Sequence, residues 1–398
     1  MRADNIFSLF YLKETKQILR CSIAYSATIF YRDFKIDLLT GEKSEDSLEV
    51  LKEEISKLKI NDELARPHVL HLFYELGFLF TEQNEYLPAH EPLAIIIKYN
   101  KASFEKFKSG EEKTNLELKD FPTFKNYKLQ FDKVQEHLRL GNCYQVNLTQ
   151  PFYFNFDKHV QLGDFINFFV QQSESLSAYA HCTYIECLDK LLFSNSPECL
   201  FKIYKKSDDY FIRSMPIKGT VEDLGLSSWK NLIDSKKEQA ELFMISDLVR
   251  NDLAKISFTP AKIIKKRMPL KVPGILHQFS IIDAPLNNDV TIWNVLNGLF
   301  PGGSITGAPK KRVMQIINEL ESYTRGFYCG STVLLHKGLK CGSINIRSAE
   351  ISFDKRELKY PAGGGITMLS EVEAEFKETY QKMKSFLQFL KVDSISKT

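Results

Sequence analysis

The sequence predicts an α+β protein, and two patterns predict it. Amphipathic helical stretches are interspersed with short strand-like runs, and they keep none of the regular strand–helix–strand rhythm of a doubly wound sheet. At 398 residues the chain is also long enough to bury a large core, as one big domain or two smaller ones. With 43% hydrophobic and 26% charged residues, its composition is that of an ordinary soluble globular protein.

Taken in order, residues 1–115 hold apolar runs at Ile18 to Ile23 and Ala94 to Ile97, and a charged helical stretch from Ser47 to Lys59. Lys106 to Lys119 contains Gly110 and no apolar period, and reads as a linker or long loop. The texture changes from Phe121 onward. A helix over Lys128 to Leu140 is followed by strand-like runs at Cys143 to Leu148, Leu191 to Ser194 and Ile344 to Ile351. These textures divide the chain into an N-terminal region, 1–115, and a second domain, 116–393.

Several function classes are disfavoured. A formal charge of +3, with lysines scattered among glutamates, points away from nucleic acid. Met1 to Leu12 contains Asp4 and lacks the layout of a signal peptide, and no apolar run approaches the roughly 18 residues of a membrane span. Cysteines 21, 143, 182, 187, 199, 329 and 341 form no C-x-x-C pair and read as free or buried thiols in a reducing cytoplasm. Without an H-E-x-x-H motif, any bound metal is expected on oxygen ligands.

The chemistry-bearing residues fall in a few segments. Lys218, between Ile217 and Gly219-Thr220, follows the strand-like Tyr210-Phe211-Ile212; the pattern fits a surface lysine in a turn or a partly desolvated nucleophile. In the helix Lys236 to Leu253, Glu241 shares an apolar stripe with Met244, Ile245 and Leu248, so it needs a cation, a hydrogen-bond partner or a metal. After Gly363-Gly364-Gly365 comes a helix with the stripe Phe376, Tyr380, Met383 and Leu387, whose early turns carry Glu371, Glu375 and Glu378. Such stacked carboxylates form either a solvated acidic turn or part of a hard-cation site. The loop Pro301 to Lys310 runs into a helix with the stripe Val313, Ile316, Ile317 and Leu320. It is not a Walker A loop, because Ala308 stands where lysine is required. The two glycine-rich segments, a helix start and Arg347 together favour small carboxylates over nucleotide phosphates.

These pieces occur in a recognisable order. Gly141-x-x-Tyr144-Gln145-Val146-Asn147-Leu148-Thr149, Ser196-Pro197-Glu198 and Pro216 to Thr220 come first. Glu241 to Leu253, the Pro301 loop, Gly326-x-Tyr328-Cys329-Gly330, Ile346-Arg347 and Gly363 to Thr379 follow. Over about 125–385 the chain resembles the chorismate-utilising enzyme family, most strongly the branch that aminates chorismate at C4. The resemblance implies a large antiparallel-sheet core layered with helices, and 116–393 as the chorismate-binding catalytic domain.

It also implies roles. Glu241, Glu375 and Glu378 would bind Mg²⁺, and Tyr328, Arg347, Gly363 and Gly365 would grip a substrate carboxylate. Glu198 would be the general acid, Lys218 a nucleophile, and His277 a further catalytic position. Gln145, Gly219, Thr220, Ser304 and Lys382 would complete the substrate site. Members that make anthranilate carry alanine in place of Lys218, and members that add water carry lysine in place of Gln145. The chain departs from the family at Val221, Leu242 and Ala254, where arginine, histidine or asparagine, and glycine are usual. No glutaminase-like cysteine segment is evident, so a separate glutamine amidotransferase subunit is the expected source of ammonia.

Overall fold

Antiparallel strand pairing accounts for most of this structure, a computed structural model that describes residues 5–105, 116–171, 175–222, 225–272, 275–390 and 395–397. A ladder can be followed from strand to strand. Leu116–Asp120 pairs with Gln145–Phe156, which pairs with Glu357–Ile366, then Ser348–Ser352, Lys190–Ser196 and Tyr179–Ile185. Ile6–Leu12, Gln17–Phe30, Ala94–Glu105, His68–Leu72 and Ser331–His336 continue it. Leu339–Ile344, Cys199–Lys206, Asp209–Met215, Ile275–Leu286 and Lys262–Val272 complete it. The predicted α+β class with a large antiparallel sheet is the observed one. The strands of residues 6–105 lie inside this ladder, between Tyr179–Ile185 and Ser331–His336.

Local sequence explains the elements that carry the site. The helix Lys236–Ala254 starts where the Ser235 hydroxyl accepts a hydrogen bond from the Glu238 N–H at 3.3 Å, satisfying one of the orphan donors of its first turn. Ile245 and Leu253 are fully buried beneath it, so the apolar stripe read from the sequence does face inward. The helix Val372–Phe389 buries Met383, Phe386, Leu387 and Phe389 against the sheet, and Tyr360 stacks on Phe386 at 4.1 Å.

Several boundaries differ from the sequence reading. The helix expected over Lys128 to Leu140 is Phe124–Arg139, because Thr123 caps it through the Asn126 N–H. The strand expected at Cys143 to Leu148 is Gln145–Phe156. Leu116–Asp120, read as linker, is a strand of the ladder; the rest of that linker, 106–115, lies outside the described residues. The single strand expected over Ile344 to Ile351 is broken between Ile344 and Ser348, and Arg347 adopts a left-handed φ of 53° in the break.

One buried ion pair joins the segments around the site. The Arg325 guanidinium, 1% exposed, donates to Glu321 at 2.7 and 2.8 Å, to the Ile305 carbonyl at 2.8 Å and to the Asn147 carbonyl at 2.6 Å. Glu321 in turn accepts from the Thr149 N–H and hydroxyl, each at 2.8 Å, and Arg325 lies over the Tyr74 ring. Removing one partner of a buried pair strands the other charge. Arg325→Met is therefore expected to lower stability by about 3–5 kcal/mol, measured by urea unfolding; a loss below about 1 kcal/mol would contradict the network's importance.

Candidate active site

Lys218 lies on the strand Ile217–Glu222, which pairs with Ile275–Leu286. The register shifts between Lys218 and Thr220, and Gly219 takes a φ of 80° there. A bulge of this kind re-aims a side chain, and glycine is required on two counts. A side chain would be strained at that φ, and its Cβ would meet Glu238 Oε2 at 2.8 Å. The bulge leaves Lys218 in the wall of a cavity that Glu198, Glu238, Glu241, His277, Ser304, Tyr328, Arg347, Glu375, Glu378 and Lys382 also line. Burial pushes the Lys218 ammonium below the usual lysine range, and Lys382 pushes in the same direction; Glu241 and Glu198 oppose them.

Glu198 follows the strand Lys190–Ser196 and is only 2% exposed. Its Oε1 accepts from the Ile217 N–H at 3.3 Å, which ties the acid to the residue before Lys218. Burial pushes its carboxyl up to about 7, against the lowering influence of Ser304, the Ile217 N–H, Lys218 and Lys382. An acid and an amine in one cavity are thus both displaced towards their neutral forms by burial.

The glycines Gly363 to Gly365 belong to the strand Glu357–Ile366, paired with Gln145–Phe156 in the register Gly363↔Thr149 and Gly365↔Asn147. Close approach is the reason for them. A Cβ on Gly363 would overlap the Leu148 carbonyl, and one on Gly365 would lie 3.0 Å from the Lys218 amine. Gly363 and Gly365 line the cavity, and the Gly363 carbonyl accepts from Lys382 Nζ at 2.7 Å.

Three of the carboxylates come from two helices, Glu241 from Lys236–Ala254 and Glu375 and Glu378 from Val372–Phe389. Glu241 and Glu375 are buried, and Ser370 donates to Glu375 Oε1 at 2.7 Å. Glu378 is partly exposed and accepts from Lys382 at 2.8 Å. These hard oxygen donors suit a cation such as Mg²⁺. Among the described residues, however, no three His, Cys, Asp or Glu side chains are gathered closely enough to hold an ion alone. An ion held on these side chains would need further ligands, of the kind that substrate and water supply.

Not every sequence candidate reaches the cavity. Gln145 is fully buried on the same side of Gly365 as Lys218 but is not part of the lining, and both polar atoms of its side chain lack a hydrogen-bond partner. The Thr220 side chain lies outside the described residues. The Pro301 loop contributes Ser304 and Ile305, whereas Lys310 at the start of the following helix is paired with Asp252 at 2.8 Å, away from the lining. The sequence reading missed Glu238, Asn147 and Tyr360, which also line the cavity. Glu238 had one signal, the Ser235-x-x-Glu238 spacing, but that spacing also describes a capping box. The seven cysteines are all unpaired. No helix among the described residues is long and apolar enough to cross a membrane.

A buried acid, a buried amine and an arginine thus line one cavity together with carboxylates from two helices. Residues 47–388 match the family described as chorismate binding enzyme, and the chain belongs to that family. Among curated relatives it is 34% identical over 278 residues to aminodeoxychorismate synthase component 1 of Escherichia coli, covering 67% of this chain and 58% of the relative. It is 32% identical over 259 residues to anthranilate synthase component 1 of Saccharolobus solfataricus, covering 63% of this chain and 58% of that one. The chain thus spans a little over half the length of these relatives. Its fold matches anthranilate synthase component I of Streptococcus pneumoniae with a TM-score of 0.76 at 22% identity, covering 93% and 91% of the two chains. It matches the menaquinone-specific isochorismate synthase of Escherichia coli with a TM-score of 0.71 at 15% identity, covering 98% and 89%.

The raised Glu198 carboxyl makes a prediction about stability. Its folded-state value of about 7 lies above the ordinary 4.5, so the folded state binds its proton more tightly than the unfolded state does. Its contribution is fully present below pH 4.5 and is lost as pH rises through 7. Glu198→Gln, which cannot ionise, should gain roughly 2–3 kcal/mol relative to wild type between pH 4.5 and pH 8. Denaturant unfolding at both pH values checks it, and a pH-independent difference would contradict the raised value.

Proposed function

We propose that this chain converts chorismate and ammonia to 4-amino-4-deoxychorismate, as component I of an aminodeoxychorismate synthase serving para-aminobenzoate and folate synthesis. The observation that carries this reading is Lys218, an amine that burial holds below the ordinary lysine range in one cavity with the acid Glu198. The uncharged amine attacks C2, the ring double bond shifts, and the C4 hydroxyl leaves as water with the proton of Glu198. Ammonia then attacks C4, the shift reverses, and the lysine amine departs, leaving nitrogen para.

Arg347, Tyr328 and the backbone at Gly363 and Gly365 would hold the enolpyruvyl carboxylate, a natural bidentate partner for guanidinium. Glu241 and Glu378, with Glu375, would hold Mg²⁺, which when bound would neutralise the ring carboxylate. Ammonia would come from a separate glutamine amidotransferase, a reading that the "component 1" names of the curated relatives support.

Three experiments test the reading. Glu241→Gln and Glu378→Gln remove charge and keep volume, so turnover should fall on the order of a hundredfold or more while the fold survives. Near-normal activity of both in Mg²⁺-replete buffer would remove the metal assignment. With chorismate, Mg²⁺ and ammonium, mass spectrometry should find the para isomer from wild type and a shift towards the ortho isomer from Lys218→Ala. Intact-mass analysis without ammonia should find a chorismate-derived adduct on Lys218. Ortho product from the unmodified enzyme would assign it instead as an anthranilate synthase component.

A further inference from the structure

We infer that His277 and Ser385 are positioning residues that aim the Arg347 guanidinium into the cavity, and that His277 carries no proton in the reaction. Arg347 occupies the break between the strands Leu339–Ile344 and Ser348–Ser352, where its carbonyl accepts from the Asn195 N–H at 3.0 Å. Its side chain crosses to two other elements. Nη1 donates to Ser385 Oγ at 3.3 Å on the helix Val372–Phe389, and Nη2 lies 2.8 Å from His277 Nε2 on the strand Ile275–Leu286.

The arginine contact decides the imidazole's tautomer. A guanidinium has only donors, so His277 Nε2 must offer a bare lone pair, and the ring proton must sit on Nδ1. Nδ1 lies 2.9 Å from the Gly219 carbonyl, an acceptor, which fits that tautomer and no other. To act as a base, His277 would take a proton on Nε2, lose its contact with Arg347 and set two cations against each other in a buried site. Burial and the neighbouring Arg347 already push the imidazole down to about 3. His277 is therefore a neutral strut. It runs from the anion-gripping guanidinium to the carbonyl of Gly219, the residue after Lys218, so the carboxylate grip and the nucleophile share one support.

This inference rests on the reading of the cavity as a carboxylate site, and the experiment separates the two. Chorismate binding to wild type, by calorimetry, tests the site itself. Steady-state kinetics of His277→Phe, His277→Gln and Ser385→Ala test the strut, on whichever amination product wild type makes. Glutamine offers both an acceptor for Arg347 and a donor for the Gly219 carbonyl, whereas phenylalanine offers neither. His277→Phe should raise KM for chorismate roughly ten- to a hundredfold with a smaller change in kcat, and His277→Gln should restore KM to within about fivefold of wild type. Ser385→Ala should raise KM a few-fold and leave kcat nearly intact. A loss of kcat of about a hundredfold or more in His277→Gln, with KM unmoved, would make His277 a proton carrier and overturn the inference. If His277→Phe fails to fold, the other two variants still decide. Wild type that binds no chorismate would remove the carboxylate reading, and the strut with it.

Discussion

The buried contact between Arg325 and Glu321 is the constraint on which the rest of the site depends. Its donors reach the Ile305 and Asn147 carbonyls, and its acceptors take the Thr149 N–H and hydroxyl. Those four groups belong to the Pro301 loop and to the strand that supports Gly363 to Gly365. Ile305 and Asn147 also line the cavity, so a charged pair with no direct role in chemistry fixes two of its walls. A pair of this kind adds little net stability compared with well-packed apolar residues, because desolvation offsets attraction. What it supplies is direction: a guanidinium fork can satisfy two backbone carbonyls only when both segments lie in one arrangement.

The same logic recurs closer to the chemistry. Three ionisable side chains of the lining are each held by a backbone group of a strand. The Ile217 N–H faces Glu198, the Gly219 carbonyl faces His277, and the Gly363 carbonyl faces Lys382. Strands place their polar groups more rigidly than loops do, and this is why an antiparallel sheet suits a cavity whose acid, amine and guanidinium are held in fixed positions. Glycine at 219, 363 and 365 is the corollary, since side chains there would fill the space these groups occupy.

Much of this was legible in the sequence because it depended on local chemistry. The inward face of Glu241 followed from its stripe with Ile245, and the closeness of Gly363 to Gly365 to other groups followed from their lack of side chains. What could not be read depended on distant partners. The break at Arg347 carries no glycine or proline to mark it, and its backbone is held by Asn195 from another strand. Tyr360 alternates as any core residue of its strand would, and only the packing of the helix Val372–Phe389 leaves it on the cavity wall. Gln145 and Asn147 share a face of their strand, yet only Asn147 is on the lining, while Gln145 is covered against Gly365.

The order of the ladder has a consequence for biosynthesis. The strand Gln145–Phe156 finds its Glu357–Ile366 neighbour only after most of the intervening helices and strands have been made. Ile6–Leu12 similarly waits for Tyr179–Ile185. Translation is slow beside the collapse of a chain, so a growing polypeptide carries open strand edges for seconds before their partners exist. Such edges are templates for pairing with other chains. Crowding by ribosomes on one message would therefore favour pairing between chains, and a chaperone that shields early strands would protect the yield without touching the stability of the finished fold.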